Sequence, residues 1–212
     1  MPATRIHLVR HGEVHNPDGV LYGRLPQFAL SESGQKMADA AAAELKRSGA
    51  KISAIFTSPL LRTRESAESL KQVFKLEPVA DERLIEPYNI FEGKRLTVGG
   101  LLLRPHLLLH LRNPAEPSWG EPYVAIRDRM FEALGEYAKK FEGQEIAVVT
   151  HQLPIWVAHL EIAGEKFAHN PSKRRCGLSS ITTIELDKKG KWSEASYRTP
   201  ADEMLATDRG AV

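Results

Sequence analysis

The chain has 212 residues, of which 42% are hydrophobic and 26% charged, and its formal net charge is +2 at pH 7. These values are typical of a globular protein with one sizeable core, and so small a positive excess gives no reason to expect a nucleic-acid partner. The basic run Lys173, Arg174 and Arg175 is short, so we interpret it as a solvated loop.

Cys176 is the only cysteine, so no intramolecular disulfide can form, and we expect a reducing, cytoplasmic location. The N-terminal stretch has no apolar segment long enough for a signal peptide. The most apolar stretch, GGLLLRPHLLLHLRN at 99–113, is interrupted by Arg104 and His106 and falls short of the roughly 20 residues that span a bilayer. We therefore expect no membrane partner and interpret this stretch as a cap or an interaction surface.

In chain order, IHLV at 6–9 predicts a first strand, followed by a polar loop. Ser31 is placed to cap a helix that ends at Gly49. The apolar face of this helix is formed by Met37, Ala38, Ala41 and Leu45. AIFT at 54–57 predicts a second strand, with Ser58 as the N-cap and Pro59 as the first residue of the next helix.

Residues 84–120 are irregular and resemble an insertion, and a long helix is predicted from about Glu121 to Phe141. Its apolar stripe consists of Val124, Phe131, Leu134, Ala138 and Phe141. EIAVVT at 145–150 predicts a strand buried on both faces, and a further helix begins near Pro154. Two strands, at 180–186 and 192–198, close the chain.

This order predicts an α/β fold, a three-layer sandwich with a largely parallel central sheet and helices on both faces. We expect one domain over residues 1–200, with an insertion or cap at about 87–120 and a frayed tail over 201–212. Functional groups in such folds lie beyond the carboxyl ends of the strands. The pairs Arg10-His11, Ser58-Pro59 and Thr150-His151 occupy three such positions, so they are predicted to meet at one rim.

Four short motifs follow one another along the chain: RHGE at 10–13, SPLLR at 58–62, LIE at 84–86 and VVTH at 148–151. In this order, spanning residues 6 to about 155, they resemble the histidine phosphatase superfamily, which is phosphoglycerate mutase-like. The resemblance implies that fold, and it implies that His11 becomes a transient phosphohistidine. It also nominates Glu86 as the acid and base, with Glu13 and Glu92 as less favoured alternatives.

The residue types suit this chemistry. A phosphoryl group in transfer spreads negative charge over three oxygens, and guanidinium groups donate to such oxygens in a planar fork. Arg10 and Arg62 are therefore predicted to bind the phosphoryl group, with His151 as a third donor. A neutral His11 can attack phosphorus through one nitrogen if the other keeps its proton on a fixed acceptor.

Several further residues are proposed for the site by position in the family pattern. Asn16 and Gln152 are proposed to bind the phosphate. Asn16 stands next to Pro17, which occupies the place of a common asparagine, and Gln152 replaces a common glycine after the second histidine. Tyr22, Gly23 and Arg24 occupy the region where relatives contact the rest of the substrate. The remaining histidines show no metal-ligand spacing, so neither a metal nor another cofactor is implied.

The leading hypothesis is a metal-independent phosphatase acting on a phosphorylated small molecule or a phosphoprotein. A phosphoglycerate mutase is the alternative, although Pro87 stands where the glycolytic mutases carry an arginine after the acid, and Lys94 and Arg95 could partly replace it. The third hypothesis is a non-catalytic, phosphate-binding adaptor with the same fold. The apolar segment 101–111 would provide the interface of such an adaptor or of an oligomer.

Overall fold

The computed structural model describes residues 4–95 and 120–204. These residues form six strands and four α-helices, with single turns of 3-10 helix at Glu82–Leu84, Pro171–Lys173 and Asp202–Met204. The elements are β1 (Thr4–Arg10), α1 (Glu32–Arg47), β2 (Ile52–Thr57), α2 (Leu61–Phe74), β3 (Pro78–Ala80), α3 (Tyr123–Lys140), β4 (Glu145–Thr150), α4 (Gln152–Ala163), β5 (Ile181–Leu186) and β6 (Trp192–Arg198).

The strands form one sheet in the order β3-β2-β4-β1-β5-β6. The pairs β3/β2, β2/β4 and β4/β1 are parallel, whereas β5 is antiparallel to β1 and to β6. The predicted α/β class with a largely parallel sheet is therefore confirmed, with the closing hairpin as its antiparallel part.

Helices cover both faces of the sheet, and the alternation of side chains along β4 divides the core in two. Ala147 and Val149 pack with residues of α1 and α2, whereas Ile146 and Val148 pack with residues of α3 and α4. These four side chains are 0% exposed. This burial explains why the strand reads as a continuous apolar run in the sequence.

The register of the central strands brings three loops to the same edge of the sheet. Arg10 pairs with Thr150, and the amide of His11 donates to the carbonyl of Thr150 at 3.1 Å. The amide of Ser58 donates to the carbonyl of Val149 at 3.0 Å. The ends of β1, β2 and β4 are therefore level, as predicted.

Two local predictions differ from the structure. Ser31 caps α1 as expected, with its side chain accepting from the amide of Gly34, but Ser58 does not cap α2. That helix begins at Leu61, and Ser58 instead contacts a histidine across the rim. Val124, placed in the apolar stripe of α3, is 49% exposed, because the buried face includes Tyr123 and Ile126 instead.

Asn89 and Gly120 form an isolated antiparallel bridge, close to the two ends of the segment that the sequence predicts to be an insertion. The apolar segment 101–111 lies outside the described residues. Ala201, where the sequence places the start of the tail, is buried with Met37 and Leu178. Within residues 4–95 and 120–204, no helix is both long and apolar enough to cross a membrane.

Candidate active site

His11 follows β1 directly, and its side chain is held in one orientation. The residue is 3% exposed, and Nδ1 lies 2.7 Å from the carbonyl oxygen of Gly12. Because a carbonyl only accepts, Nδ1 carries the proton and the lone pair is on Nε2. Burial, followed by the charges of Arg62 and Arg10, holds the pKa of His11 well below its ordinary 6.5. The ring is therefore neutral, with Nε2 available as a nucleophile.

The turn at Gly12 is packed so tightly that only glycine fits. A Cβ at Gly12 would lie 2.2 Å from the carbonyl oxygen of Gly34, in the first turn of α1, and a Cβ at Gly34 would lie 2.0 Å from the carbonyl oxygen of Glu13. The amide of Gly12 donates to Ser66 Oγ at 3.1 Å. The loop that carries His11 is thus pressed between α1 and α2.

Arg10 and Arg62 bring two cations to His11, and both are 0% exposed. Arg10 Nη1 donates to the carbonyl oxygen of Cys176 at 2.6 Å. Arg62, in the first turn of α2, donates through Nη2 to the carbonyl oxygen of Gly23 at 2.6 Å. Its guanidinium carbon lies 4.8 Å from the centroid of the Tyr22 ring.

The other two guanidinium nitrogens of Arg62 take no part in these contacts. Its Nε and Nη1 are buried, and neither has a hydrogen-bond partner among the described residues. A buried donor without a partner costs free energy, so this arrangement favours an anion that would accept from it. Burial lowers the pKa of Arg62, and the nearby Tyr22 and Glu86 act in the opposite direction.

His151 occupies the N-cap position of α4 and is 0% exposed. Arg62 Nη2 donates to its Nδ1 at 3.2 Å, so Nε2 carries the proton and donates to Ser58 Oγ at 2.8 Å. A hydroxyl both donates and accepts. Ser58 Oγ can therefore contact Nε2 whichever ring nitrogen carries the proton. Burial and Arg62 hold the pKa of His151 well below 6.5.

Glu86 lies beside His151, with 3.6 Å between its Oε2 and His151 Nδ1. Its Oε2 is buried and has no hydrogen-bond partner in the described part of the chain. Burial raises the pKa of this carboxyl above its ordinary 4.5, against the lowering effect of Arg62 and Arg174. A carboxyl group with a raised pKa suits a general acid.

Two hydrogen bonds fix the backbone that carries Glu86. Thr150 Oγ1 donates to the carbonyl oxygen of Leu84 at 2.6 Å, which ties this segment to the end of β4. Arg24 Nε donates to the carbonyl oxygen of Glu86 at 2.6 Å. The LIE motif is therefore positioned by the same sheet edge that positions His151.

The two alternative acids have structural contacts. The carboxylate of Glu13 accepts from Ser31 Oγ at 2.6 Å, beside the N-cap of α1. The carboxylate of Glu92 accepts from the amides of Arg24 at 2.9 Å and Asn89 at 3.0 Å. These contacts favour Glu86 over both.

Not every residue proposed for substrate contact faces the pocket. The side chain of Asn16 closes its own loop, because its amide nitrogen donates to the carbonyl of Val20 and its oxygen accepts from the Val20 amide. Arg24 forms an ion pair with Glu121 at 2.8 Å. Tyr22 and Gly23 contact Arg62, so they act on the pocket through that side chain.

The sequence does not predict the roles of two residues of the site. It places Ser58 at the rim but as a helix cap, not as a partner of His151, and it assigns Arg174 to a solvated loop. Arg174 is instead half-buried, and its Nη1 donates to Gln152 Oε1 at 3.2 Å. Gln152 Nε2 in turn lies 3.4 Å from the carbonyl oxygen of Cys176, the acceptor of Arg10. The only available signal was that this basic run lies just before the strand beside β1.

The arrangement joins a neutral imidazole to two buried guanidinium groups, a second imidazole and a carboxyl group with a raised pKa. Such a pocket can hold a tetrahedral oxyanion, attack its central atom and protonate a leaving oxygen. Among the described residues, no group of three or more His, Cys, Asp or Glu side chains is placed to hold a metal ion.

Known proteins are similar to this chain over most of its length. A profile of the histidine phosphatase superfamily, branch 1, matches residues 6–198. An uncharacterized protein of Mycobacterium tuberculosis is 44% identical over 185 residues, covering 87% of this chain and 91% of its own length. A 2,3-bisphosphoglycerate-dependent phosphoglycerate mutase of Thermoplasma acidophilum is 39% identical, with 85% and 86% covered. A metal-independent phosphoserine phosphatase of Arabidopsis thaliana is 30% identical, with 92% and 83% covered.

Solved structures show the same fold. The structure of Bacillus stearothermophilus YhfR is similar with a TM-score of 0.78 and 26% sequence identity. The match covers 91% of this chain and 96% of that one.

Proposed function

The chain belongs to the histidine phosphatase superfamily, and from this premise we propose that it is a metal-independent phosphatase that hydrolyses a phosphomonoester through a phosphohistidine on His11. The observation that carries the proposal is the fixed orientation of His11, whose Nδ1 lies 2.7 Å from the Gly12 carbonyl oxygen. That contact leaves Nε2 unprotonated in a pocket that also contains Arg10 and Arg62.

In the first step Arg10, Arg62 and His151 bind the phosphoryl oxygens. His11 Nε2 attacks phosphorus, the nitrogen–phosphorus bond forms and the ester oxygen–phosphorus bond breaks. The leaving oxygen takes the proton of Glu86, so the alcohol departs neutral. The guanidinium groups contribute by stabilising charge on the equatorial oxygens.

In the second step water replaces the alcohol. The carboxylate of Glu86 takes a proton from water, whose oxygen attacks phosphorus as the bond to His11 breaks. Inorganic phosphate leaves, His11 is again neutral with its proton on Nδ1, and Glu86 is again protonated. One carboxyl group thus acts first as acid and then as base.

Phosphoglycerate mutase is the second candidate function, and the relative from Thermoplasma acidophilum, 39% identical, favours it. A mutase would use the same phosphohistidine but return the phosphoryl group to the substrate. A non-catalytic adaptor is the weaker alternative, since phosphate binding alone requires neither a nucleophile at His11 nor an acid at Glu86.

The test is phosphate release from a panel of phosphorylated metabolites and phosphopeptides, combined with rapid quench. We expect turnover that is unchanged by EDTA and inhibited by vanadate, and an acid-labile, base-stable phosphoprotein with the label on His11. Label on a serine, or turnover that EDTA abolishes and a divalent metal restores, would contradict the proposal.

A further inference from the structure

Arg174 lies at the edge of the site and is fixed through two of its nitrogens. Its Nε donates to His169 Nε2 at 2.8 Å, and its Nη1 donates to Gln152 Oε1 at 3.2 Å. His169 can accept because its own Nδ1 donates to the carbonyl oxygen of Phe167 at 2.6 Å. The guanidinium is therefore held in place before any ligand arrives, which lowers the entropy lost on binding.

The contacts of Arg174 connect it to the phosphoryl pocket. Gln152 directly follows His151, and its Nε2 contacts the Cys176 carbonyl oxygen that also accepts from Arg10. Glu86 is the acidic side chain that most stabilises the charged form of Arg174, and Tyr123 is the next. Half-buried Arg174 thus interacts with Glu86, the proposed acid, and is linked through Gln152 and the Cys176 carbonyl to Arg10, a proposed phosphate-binding residue.

Arg10 and Arg62 already match the two negative charges of a phosphoryl dianion, which leaves Arg174 as a further cation at the edge of the site. In the proposed first step Glu86 is protonated, so it no longer balances a neighbouring cation. Arg10, Arg62 and Arg174 then provide more positive charge than a phosphoryl dianion neutralises. Arg24 and Arg129, which both pair with the single carboxylate of Glu121, add to this excess.

We propose that Arg174 is a specificity-determining residue that binds a second anionic group of the substrate, either a carboxylate or a second phosphate. The proposal rests on the proposed function in calling the bound compound a substrate. The binding preference itself can be measured without turnover. A guanidinium group suits both anions, because it stays charged and forms charge-assisted hydrogen bonds with either of them.

The test uses phosphonates, whose carbon–phosphorus bond is not hydrolysed, so that binding is measured apart from catalysis. Calorimetry compares 2-amino-4-phosphonobutyrate with 3-aminopropylphosphonate, which differ by one carboxylate. A second pair, propane-1,3-bisphosphonate and propylphosphonate, tests the second phosphate. Whichever pair matches the substrate, we expect the wild-type protein to bind the compound with two anions about 10- to 100-fold more tightly, as for a charge-assisted contact.

The matched variants are Arg174→Ala and Arg175→Ala. Arg175 is adjacent in sequence, but it pairs with Glu194 and lies over the ring of Tyr197. We expect the preference to fall to about 1-fold in Arg174→Ala, because 2-amino-4-phosphonobutyrate loses more affinity than 3-aminopropylphosphonate does. Arg175→Ala should keep the full preference. If Arg174→Ala does not fold, Arg174→Gln, which keeps a polar side chain, should show the same loss.

The inference would be overturned if the wild-type protein preferred neither of the compounds that carry two anionic groups. It would also be overturned if an Arg174 variant kept the preference. If Arg174→Ala only shifts the pH profile of turnover, equally for all substrates, the residue acts on Glu86 and the inference is wrong. A protein that shows the preference but releases no phosphate would contradict the proposed function alone.

Discussion

The imidazole of His151 packs against that of His11, with 5.3 Å between the ring centroids and 65° between the ring planes. Burial and the charge of Arg62 lower the pKa of both rings. Their hydrogen bonds nevertheless give them different roles. The Gly12 carbonyl can only accept, so it fixes the proton of His11 on Nδ1. The Ser58 hydroxyl can donate or accept, so the proton of His151 is fixed on Nε2 by the contact of its Nδ1 with Arg62.

Replacing His11 with alanine should reduce turnover by at least ~10⁴-fold, because it removes the nucleophile. The matched control is His15→Ala, since His15 lies in the same loop and is exposed. Steady-state phosphate release and rapid quench give the two measurements. Substantial turnover in His11→Ala would refute the assignment of the nucleophile.

Replacing Arg62 with methionine should reduce kcat/KM by about 10²- to 10³-fold, because one preorganised donor to the transition-state oxyanion is lost. We expect a smaller loss in the free energy of unfolding than in transition-state stabilisation. Methionine leaves the Gly23 carbonyl and His151 Nδ1 without their donor, but it also removes the buried Nε and Nη1, which have no partner among the described residues. Arg64→Met, exposed on the same helix, is the control for both measurements. A loss of stability as large as the loss of activity would show that Arg62 acts mainly in folding.

Glu86→Gln should slow hydrolysis of alkyl phosphates far more than that of nitrophenyl phosphate, whose leaving group needs little protonation. The comparison variants are Glu13→Gln and Glu92→Gln. Their effect on turnover should be the same for both leaving groups, because Glu13 accepts from the N-cap residue Ser31 and Glu92 accepts from the backbone amide of Arg24. Equal slowing of both substrates by Glu86→Gln would remove this residue as the acid.

The pH dependence of kcat/KM on an alkyl phosphate should be bell-shaped. Activity is lost as pH falls through the pKa of His11, because protonation removes the lone pair of Nε2. The lowered pKa places this limb below 6.5. Activity is lost on the other side as pH rises through the pKa of Glu86, because the acid loses its proton, and the raised pKa places that limb above 4.5. Glu86→Gln should abolish the alkaline limb, and its persistence would assign that limb to another group.

The sheet could be predicted from the sequence because its central strands are short apolar runs followed at once by polar motifs. The meeting of Arg10, His11 and His151 at one rim follows from parallel strands with level ends. Arg62 was also predictable, since a residue in the first turn of α2 faces the end of the adjacent strand.

The remaining contacts depend on tertiary packing that no local pattern encodes. Ser58 has the sequence features of a helix cap, but its hydroxyl contacts His151 across the sheet edge. Arg174 lies in a run of three cations whose spacing does not show which one is buried. Arg24 and Asn16 sit in a polar loop, and only the fold shows that they contact Glu121 and Val20.

The surroundings of Pro87 are the structural basis for preferring a phosphatase to a mutase. Pro87 is buried after the proposed acid and has no charge to hold a substrate that must reorient. The two cations that could replace the missing arginine are engaged elsewhere. Lys94 Nζ donates to the Ile90 carbonyl oxygen at 3.0 Å, and Arg95 pairs with Asp18 at 2.9 Å.

The decisive measurement supplies 3-phosphoglycerate, with and without 2,3-bisphosphoglycerate as primer, and follows both 2-phosphoglycerate and free phosphate. A mutase must keep the phosphorylated intermediate bound and must keep water from His11 while the intermediate turns. A site without the cation expected at position 87 should release the intermediate, or admit water to His11, before the intermediate has turned. We therefore expect phosphate release to exceed isomerisation whether or not primer is present.

The arginine variant at this position, Pro87→Arg, should increase the ratio of isomerisation to hydrolysis. Isomerisation that exceeds phosphate release by a wide margin in the unchanged protein would assign it to the mutases instead.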